Sequence, residues 1–323
     1  MANYQKISKN IQKLTINNLN SPDTQVEWIN ITNAGKNELE FLRKQYNFSI
    51  SHLQPSSAKM IAQRPVVEKW DGYIFMILHY PIRQGDRIVS AEVDFFIGHG
   101  FLVTLHNNNL EALNNFFSFA KKEEKSTITY SHESSIMLLY EILERLMANC
   151  LLILDTTAAD ISTIEEMIFD ERKQKHAISH ILNLRRNITN FRKVMQSHKN
   201  ILKILMDLES ESIEKQTIKT SYINLIDYSK RIWEFLENQK EMVEIFYDTN
   251  ESILNNRLND IMKTLTIFSV IVFPLTLLAA VFGMNTVNGM PFMDSANGFW
   301  IIIFIMLLGS FGMILFFWKK KWL

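Results

Sequence analysis

Residues 264–282 read TLTIFSVIVFPLTLLAAVF, and residues 299–318 read FWIIIFIMLLGSFGMILFFW. The runs are 19 and 20 residues long, and neither contains a charged side chain. At about 1.5 Å per helical residue, each spans the roughly 30 Å hydrocarbon layer of a bilayer. The charge gaps extend beyond the runs: there is no charge between Lys263 and Asp294, and none between Asp294 and Lys319. A buried helical pair in a soluble protein can be equally apolar. Two such runs in succession, parted by a short polar segment, instead predict a hairpin of membrane-spanning helices.

The flanks orient this hairpin. Lys319, Lys320 and Lys321 follow the second run directly, whereas the connection from Gly283 to Gly298 has no Lys or Arg. The positive-inside rule places the lysines in the cytoplasm and the connection outside. With two spans, residues 1 to about 255 are then cytoplasmic too, so both termini face inward from a cell (inner) membrane. Trp300, Trp318 and Trp322 fall at the expected interfaces. The one cysteine, Cys150, excludes an intrachain disulfide and suits a reducing compartment. The polar start, Met1 to Lys6, predicts no secretory signal peptide.

Composition narrows the classes further. Among 323 residues, 34 Lys+Arg balance 34 Asp+Glu, a net charge of zero that argues against nucleic acid as a partner. At 47% hydrophobic and 21% charged, the chain is not disordered. Its mean hydropathy of −0.03 would suit a soluble protein, but it averages two unlike halves.

Upstream of the spans, two patterns alternate. Strand-like runs occur at Val26 to Ile31, Tyr73 to Leu78, Phe95 to Gly98 and Phe101 to Leu105, the last two flanking a Gly98-His99-Gly100 turn that predicts a hairpin. Helical patterns lie near Lys36 to Tyr46 and Leu110 to Lys121. From Ser134 there is no Pro until Pro274 and no Gly until Gly283, while apolar residues recur at helical spacing, as at Leu138, Leu139, Ile142, Leu143 and Leu146. This predicts long antiparallel helices broken near 172–176 and 209–216, the last starting near Ser221 and running into the first span. The expected fold class is an α+β cytoplasmic domain with long stalk helices and two C-terminal transmembrane helices. Its divisions are residues 1–130, 131–257 and 258–323. No internal repeat of 20–50 residues is visible.

Two helices cannot enclose a pore, so a channel would need several subunits to pool one helix each. Between Leu265 and Phe282 the polar side chains are Thr266, Ser269 and Thr276. At about 100° per residue, with Thr266 at zero, Ser269 falls near −60° and Thr276 near −80°. Asn259 falls near +20°, Met262 near −40° and Phe273 near −20°, so one arc of about 100° holds the polar residues. Hydroxyls in membrane helices commonly bond their own i−4 carbonyls, which is the bland reading of each residue alone. The shared face favours a pore or an interhelical seam. In the second span, Gly309, Ser310 and Gly312 form only a small-residue patch suited to close packing.

The first span ends in Phe282-Gly283-Met284-Asn285. A Gly-Met-Asn at this position, with Met262 to Thr266 and Pro274-Leu275-Thr276 before it, resembles the CorA family of divalent-cation transporters. Met290-Pro291 after it and the terminal Lys319 to Leu323 strengthen the likeness. Glu27 to Asn30 and Gln63-Arg64-Pro65 also look like family segments. The resemblance implies a homopentameric funnel with the first span lining the pore and the second forming an outer ring. It places the selectivity mouth at Gly283, Met284 and Asn285, with Asn285 and Gly283 holding the metal through its hydration shell. Pore positions carried over are Asn259, Met262, Leu265, Thr266, Ser269, Phe273 and Thr276. Of these, Met262, Leu265 and Phe273 would supply constrictions that gate by dewetting. Mg²⁺ dehydrates reluctantly, so a ring of neutral amides can select it without stripping its water.

The chain departs from the family pattern in three places. Phe282 replaces a usual Tyr, and the connection has no acid near Met290-Pro291, Asp294 being the nearest. The connection is also one residue longer. The acids of an intersubunit regulatory Mg²⁺ site fall on Ser57 and Asn224, leaving Asp227, one turn on, as the remaining candidate metal ligand.

Other chemistry is thin. His176 and His180 have i, i+4 spacing but no third ligand, which reads best as a solvated helix face. From Asp207 to Glu251, eleven acids face five bases, a surplus that would draw cations or merely coat a solvated stalk. No P-loop, HExxH or dinucleotide motif is present, so neither an enzyme nor an ATP-driven pump is expected, and no cofactor. The expected partners are a lipid bilayer, divalent cations and further copies of the chain. The reading is a pentameric Mg²⁺ channel or transporter driven by the electrochemical gradient. The alternatives are Zn²⁺, Co²⁺ or Ni²⁺ as cargo with proton coupling, or a membrane-tethered helical scaffold or sensor that moves no ions.

Overall fold

A computed structural model describes residues 3–17, 25–54, 56, 64–122, 134–208, 216–285, 290–292 and 295–322. Seven strands, β1 (Asn3–Lys6), β2 (Ile11–Asn17), β3 (Gln25–Thr32), β4 (Val66–Trp70), β5 (Tyr73–Gln84), β6 (Arg87–Gly98) and β7 (Phe101–His106), form one sheet in the order β1-β2-β3-β7-β6-β5-β4. Only β3 and β7 run parallel; the other neighbours are antiparallel. The β6–β7 hairpin forms at the Gly98-His99-Gly100 turn, where Gly98 pairs with Phe101 and Gly100 takes φ +79°, a conformation glycine adopts without steric cost. All residues from Tyr73 to Ile82 of β5 are buried, because helices cover both faces of the sheet and the strand is apolar apart from His79, which pairs with Glu92.

Helices α1 (Lys36–Tyr46) and α2 (Ile50–Leu53) cover one face. There Phe48 stacks on Phe96 at 4.3 Å between ring centroids, within a core that includes Ile29, Ile31, Phe75 and Val103. On the other face Trp28 packs against Phe116 and Phe117 of α3 (Glu111–Lys122) and donates its indole N–H to Thr104 Oγ1 at 3.1 Å. Thr104 donates in turn to Asn30 Oδ1 at 2.8 Å, which satisfies a polar chain inside the sheet.

Three more helices follow: α4 (Ser135–Phe169), α5 (Gln174–Met195) and α6 (His198–Leu208). Ser134 caps α4 by accepting from Met137 N–H. The break expected near 172–176 falls at 170–173, between α4 and α5, and residues 209–215 of the break expected near 209–216 lie outside the described residues. A second break at Gln196-Ser197 separates α5 from α6 without a Gly or Pro to signal it. The last long helix, α7 (Gln216–Phe282), starts five residues before the expected Ser221 and runs unbroken for 67 residues into the first apolar run. Its first part is fastened by Tyr222 Oη donating to Ile136 O at 2.9 Å, by Gln239 Nε2 donating to Leu154 O at 3.0 Å and by an Arg192–Glu237 ion pair. The final helix is α8 (Gly298–Lys319).

The chain divides into two compact units, Met1–Tyr247 and Asp248–Leu323. The first has its own core. The second is the remainder of α7 together with α8. Of the most apolar 18 residues of α7 only 6% are buried, and of α8 none.

Candidate functional site

α7 carries the stripe on its uncovered side. Asn259, Met262, Leu265, Thr266, Phe273 and Thr276 are exposed and Ser269 is half-buried. The large apolar members are among the barest side chains of the protein, Met262 at 62%, Leu265 at 60% and Phe273 at 71%. Ile267 is buried, and Ile271, Leu275, Leu278 and Phe282 are half-covered. These five lie about 100–180° from Thr266, on the opposite side of the helix. One face of the helix is greasy and partly covered; the other mixes hydroxyls and an amide with the bulky apolar groups Met262, Leu265, Phe273 and Leu277, the last 65% exposed and at the same angle as Asn259.

The two threonine hydroxyls of the stripe are fixed in their roles. Thr266 Oγ1 donates to Met262 O at 2.7 Å and Thr276 Oγ1 donates to Val272 O at 2.9 Å. Thr264, off the stripe, does the same to Asp260 O at 2.9 Å. The bland local bond is therefore made on and off the stripe alike, and the bond itself does not mark a pore face. It has a chemical consequence, though. With the proton committed to the backbone, each threonine oxygen is left as an acceptor. Water bound to a cation points its hydrogens outward, so acceptors are the groups that a hydrated cation needs along a wall. Pro274 lies within α7 and has no N–H, so the Val270 carbonyl also loses its helical donor. Val270 and Pro274 line a shallow hollow with Leu265, Thr266, Ser269 and Phe273.

α7 ends at the predicted mouth. Gly283 N–H donates to Ala279 O at 2.9 Å, and Met284 N–H closes a tighter turn onto Val281 O at 3.3 Å. A Cβ on Gly283 would approach Ala279 O to 3.1 Å, so a side chain is disfavoured at this step. Met284 and Asn285 are exposed beyond it. The last carbonyls of a helix carry a partial negative charge, so this end attracts cations before any carboxylate is added. Thr286 to Gly289 and Asp294 lie outside the described residues.

At the opposite end of the span Asn259 lines an open hollow with Asn256, Asp260, Lys263 and Trp322, and Lys263 Nζ sits 3.4 Å from Asp260 Oδ1. Asn224 and Asp227 line another hollow, between α4 and α7, with Glu141, Glu144, Arg145 and Arg231. Ser57 lies outside the described residues. Among the described residues no three His, Cys, Asp or Glu side chains gather as a metal cluster, and His176 and His180 are both exposed. The strongly shifted acids and bases are elsewhere, in the sheet domain. Burial pushes the Asp94 carboxyl up to about 7 and the His106 and His198 imidazoles down to about 4. Sequence reading passed over Asp94. It stands between Val93 and Phe95 in a strand pattern, and only the sheet register shows that it points into the core between Ile77 and Leu105.

The family described as CorA-like Mg²⁺ transporter protein matches residues 23–321. The chain belongs to the CorA family. The cobalt/magnesium transport protein CorA of Thermotoga maritima is 25% identical over 92% of this chain and 83% of its own length. The complete CorA magnesium transporter structure from Methanocaldococcus jannaschii superposes with a TM-score of 0.81 at 20% identity, covering 98% of this chain and all of that one. The cytoplasmic domain of ZntB from Vibrio parahaemolyticus shares the fold at a TM-score of 0.58 and 16% identity, over 77% of this chain and 100% of that domain. CorA-family proteins are membrane transporters of divalent cations, not enzymes, and the two apolar helices fit that role. The expected fold class is therefore the observed one: a soluble α/β domain, a long helix and two C-terminal apolar helices.

Proposed function

We propose that this CorA-family protein is a homopentameric channel for hydrated Mg²⁺, lined by α7. The observation that carries this reading is the composition of the uncovered face of α7. Asn259, Thr266, Ser269 and Thr276 follow one side of a helix long and apolar enough to cross a membrane, and Ile267 occupies the other. Acceptor oxygens facing lipid hydrocarbon are unfavourable, whereas the same oxygens facing a water-filled lumen are not. Two helices per chain enclose no lumen, so the reading requires copies of the chain around an axis. Met262, Leu265 and Phe273 would then narrow the pore with apolar rings that gate by dewetting.

Selection would occur at Gly283, Met284 and Asn285. Mg²⁺ holds its six waters tightly, and neutral Asn285 amides with Gly283 carbonyls offer hydrogen-bond partners to those waters rather than replacements for them. The lysines at 319–321 favour cytoplasmic termini and an outer Gly-Met-Asn mouth in a cell (inner) membrane. Transport inward would need no cofactor. A divalent ion crossing 100 mV gains about 4.6 kcal/mol, twice the single-charge value. Relatives named as cobalt/magnesium and magnesium transporters support this cargo and make Co²⁺ the natural competitor.

Regulation would differ from a carboxylate-bridged design. Asn224 offers only neutral oxygen, and a hard divalent ion binds such a site far more weakly than a pair of carboxylates. Asp227 shares its hollow with Glu141 and Glu144 as well as Arg145 and Arg231, but among the described residues no three acidic or histidine side chains gather there as a metal cluster.

The test is flux into liposomes holding the purified full-length protein, with Mg²⁺, Co²⁺ and Zn²⁺ compared at equal gradients. Mg²⁺ entry that responds to an imposed potential is expected. Entry of Zn²⁺ alone, or entry only with a proton gradient, would overturn the cargo. No entry of any divalent ion would return the protein to a tethered scaffold or sensor.

A further inference from the structure

α8 ends in a closed turn with a non-glycine residue at its left-handed position. Lys320 N–H donates to Phe316 O at 3.1 Å, Lys321 N–H to Trp318 O at 3.0 Å and Trp322 N–H to Phe317 O at 3.0 Å. Lys321 has φ +55°, and the Trp322 ring stacks on Phe317 at 5.8 Å between centroids. These are the crossed hydrogen bonds, left-handed residue and hydrophobic clasp of a Schellman cap. The left-handed position of that cap is normally glycine, because a side chain there costs about 1 kcal/mol or more. Lysine at this position is the wrong residue for the turn. It is the right residue for a charge.

The clasp also fixes where the charges stand. Trp322 is turned back against α7, where it lines one open hollow with Lys263. Lys319, Lys320 and Lys321 leave the same turn, and all three are exposed. Lys263 is held by Asp260, and among the described residues no acid pairs with the three lysines at 319–321, which stand at the end of an apolar span. Aromatic side chains on either side, Trp318 and Trp322, are those that settle at the headgroup level of a bilayer. Cationic groups at that level meet the phosphates of anionic lipids directly.

We propose that the Lys319-Lys320-Lys321 turn is a binding surface for the headgroup of an anionic phospholipid, clasped in place by Trp322. The partner is a lipid and not free phosphate, because the site sits at the end of a helix whose remaining surface is apolar and uncovered. Acyl chains seated along α8 supply binding that an inorganic ion lacks.

The test uses the detergent-solubilised full-length protein and native mass spectrometry, with phosphatidylglycerol and phosphatidylcholine of matched chains as probes. Phosphatidylglycerol should be retained over phosphatidylcholine by roughly tenfold or more, with roughly fivefold lost for each lysine neutralised. Two variants separate charge from fold. Lys321→Gly keeps the cap, relaxes its strain and removes one charge, so it should raise thermal stability slightly while lowering phosphatidylglycerol retention. Lys319→Gln with Lys320→Gln leaves the turn unchanged and should lower retention further. Added inorganic phosphate should leave the lipid bound, whereas raised salt should release it. Equal retention of the two lipids, or a Lys319→Gln, Lys320→Gln, Lys321→Gly protein that holds phosphatidylglycerol like the parent, would overturn the proposal. Displacement by inorganic phosphate alone would do so as well. None of these measurements involves ion flux, so the lipid site and the Mg²⁺ pathway stand or fall separately.

Discussion

The two units solve opposite problems. In Met1–Tyr247 the sheet has helices on both faces, and side chains such as Trp28, Phe95 and Phe96 have no exposed surface. In Asp248–Leu323 the residues are more apolar, yet Phe273, Phe299, Trp300 and Phe304 are each about two-thirds exposed or more. Hydrophobicity alone does not make a core. The first unit buries its apolar surface within one chain, while the second leaves its apolar surface open, as a pair of membrane-spanning helices would. Function follows this division: stability should be set in the first unit and ion passage in the second.

The sharpest way to break the division is at the mouth. Asn285→Ala should abolish divalent-ion flux into liposomes, because it removes an amide ring while deleting little packing from an exposed position. Membrane insertion and oligomer size should remain those of the parent. Parental flux in a correctly assembled Asn285→Ala protein would exclude Asn285 from selection.

The same truncation in each unit gives the second test. Phe96→Ala removes a ring stacked on Phe48 and tilted against Phe75 and should cost about 3–5 kcal/mol in thermal or denaturant unfolding. Phe273→Ala should leave unfolding unchanged and increase leak flux, since a narrower apolar ring holds back water more strongly than an alanine does. Comparable destabilisation by both would mean that Phe273 belongs to a packed core.

A third effect belongs to the first unit alone. Asp94 is raised from 3.8 to about 7, chiefly by burial, with Glu92 adding to it and Ser56 opposing it. The folded state therefore holds this proton more tightly than the unfolded chain. Its contribution is complete below about pH 4 and is lost as pH rises to 7, at up to roughly 1.4 kcal/mol per pH unit. His106 and His198, lowered to about 4, act in the opposite sense, adding stability as pH rises from 4 to about 6.5. Parent minus Asp94→Asn isolates the carboxyl: the difference in unfolding free energy should slope downward between pH 5 and 7. A flat difference would place Asp94 in contact with solvent.

How much of this is legible in the sequence depends on the signal each element leaves. The spans are plain, because runs of 19 and 20 residues without a charge leave a signal that no soluble segment of this chain matches. The β6–β7 hairpin is plain through Gly98-His99-Gly100. β1 and β4 are not: they are edge strands of four and five residues, mostly exposed, with too few buried positions to show a period. The second half of β5 and the first half of β6 are hidden by polar residues such as His79, Arg83 and Glu92, although His79 and Glu92 pair across the strands at 3.0 Å. The break at Gln196-Ser197 has no sequence mark, since both neighbouring helices remain amphipathic. At the candidate site, the stripe was readable from angular spacing. The commitment of the Thr266 and Thr276 protons to backbone carbonyls was not, because spacing gives the face of a helix but not the rotamer of a hydroxyl.

That commitment makes the smallest test the most discriminating. Thr276→Val and Thr264→Val each delete a hydroxyl bonded at 2.9 Å to the carbonyl four residues earlier, and each keeps the shape of the side chain. Their effects on the helix itself should match, because the local chemistry removed is the same. They differ in direction: Thr276 lies on the stripe, and Thr264 lies about 160° around the helix from Thr266. If hydrated ions pass the stripe, Thr276→Val withdraws an acceptor from their water shell. A hydrogen bond of about 1 kcal/mol then predicts a loss of flux of several-fold. Thr264→Val should stay within about twofold of the parent, because its acceptor never meets the ion path. Equal losses would trace both effects to the backbone bond and remove the polar arc from the pore. A loss at Thr264 alone would turn the helix over and put the lumen against the face that Ile267 occupies.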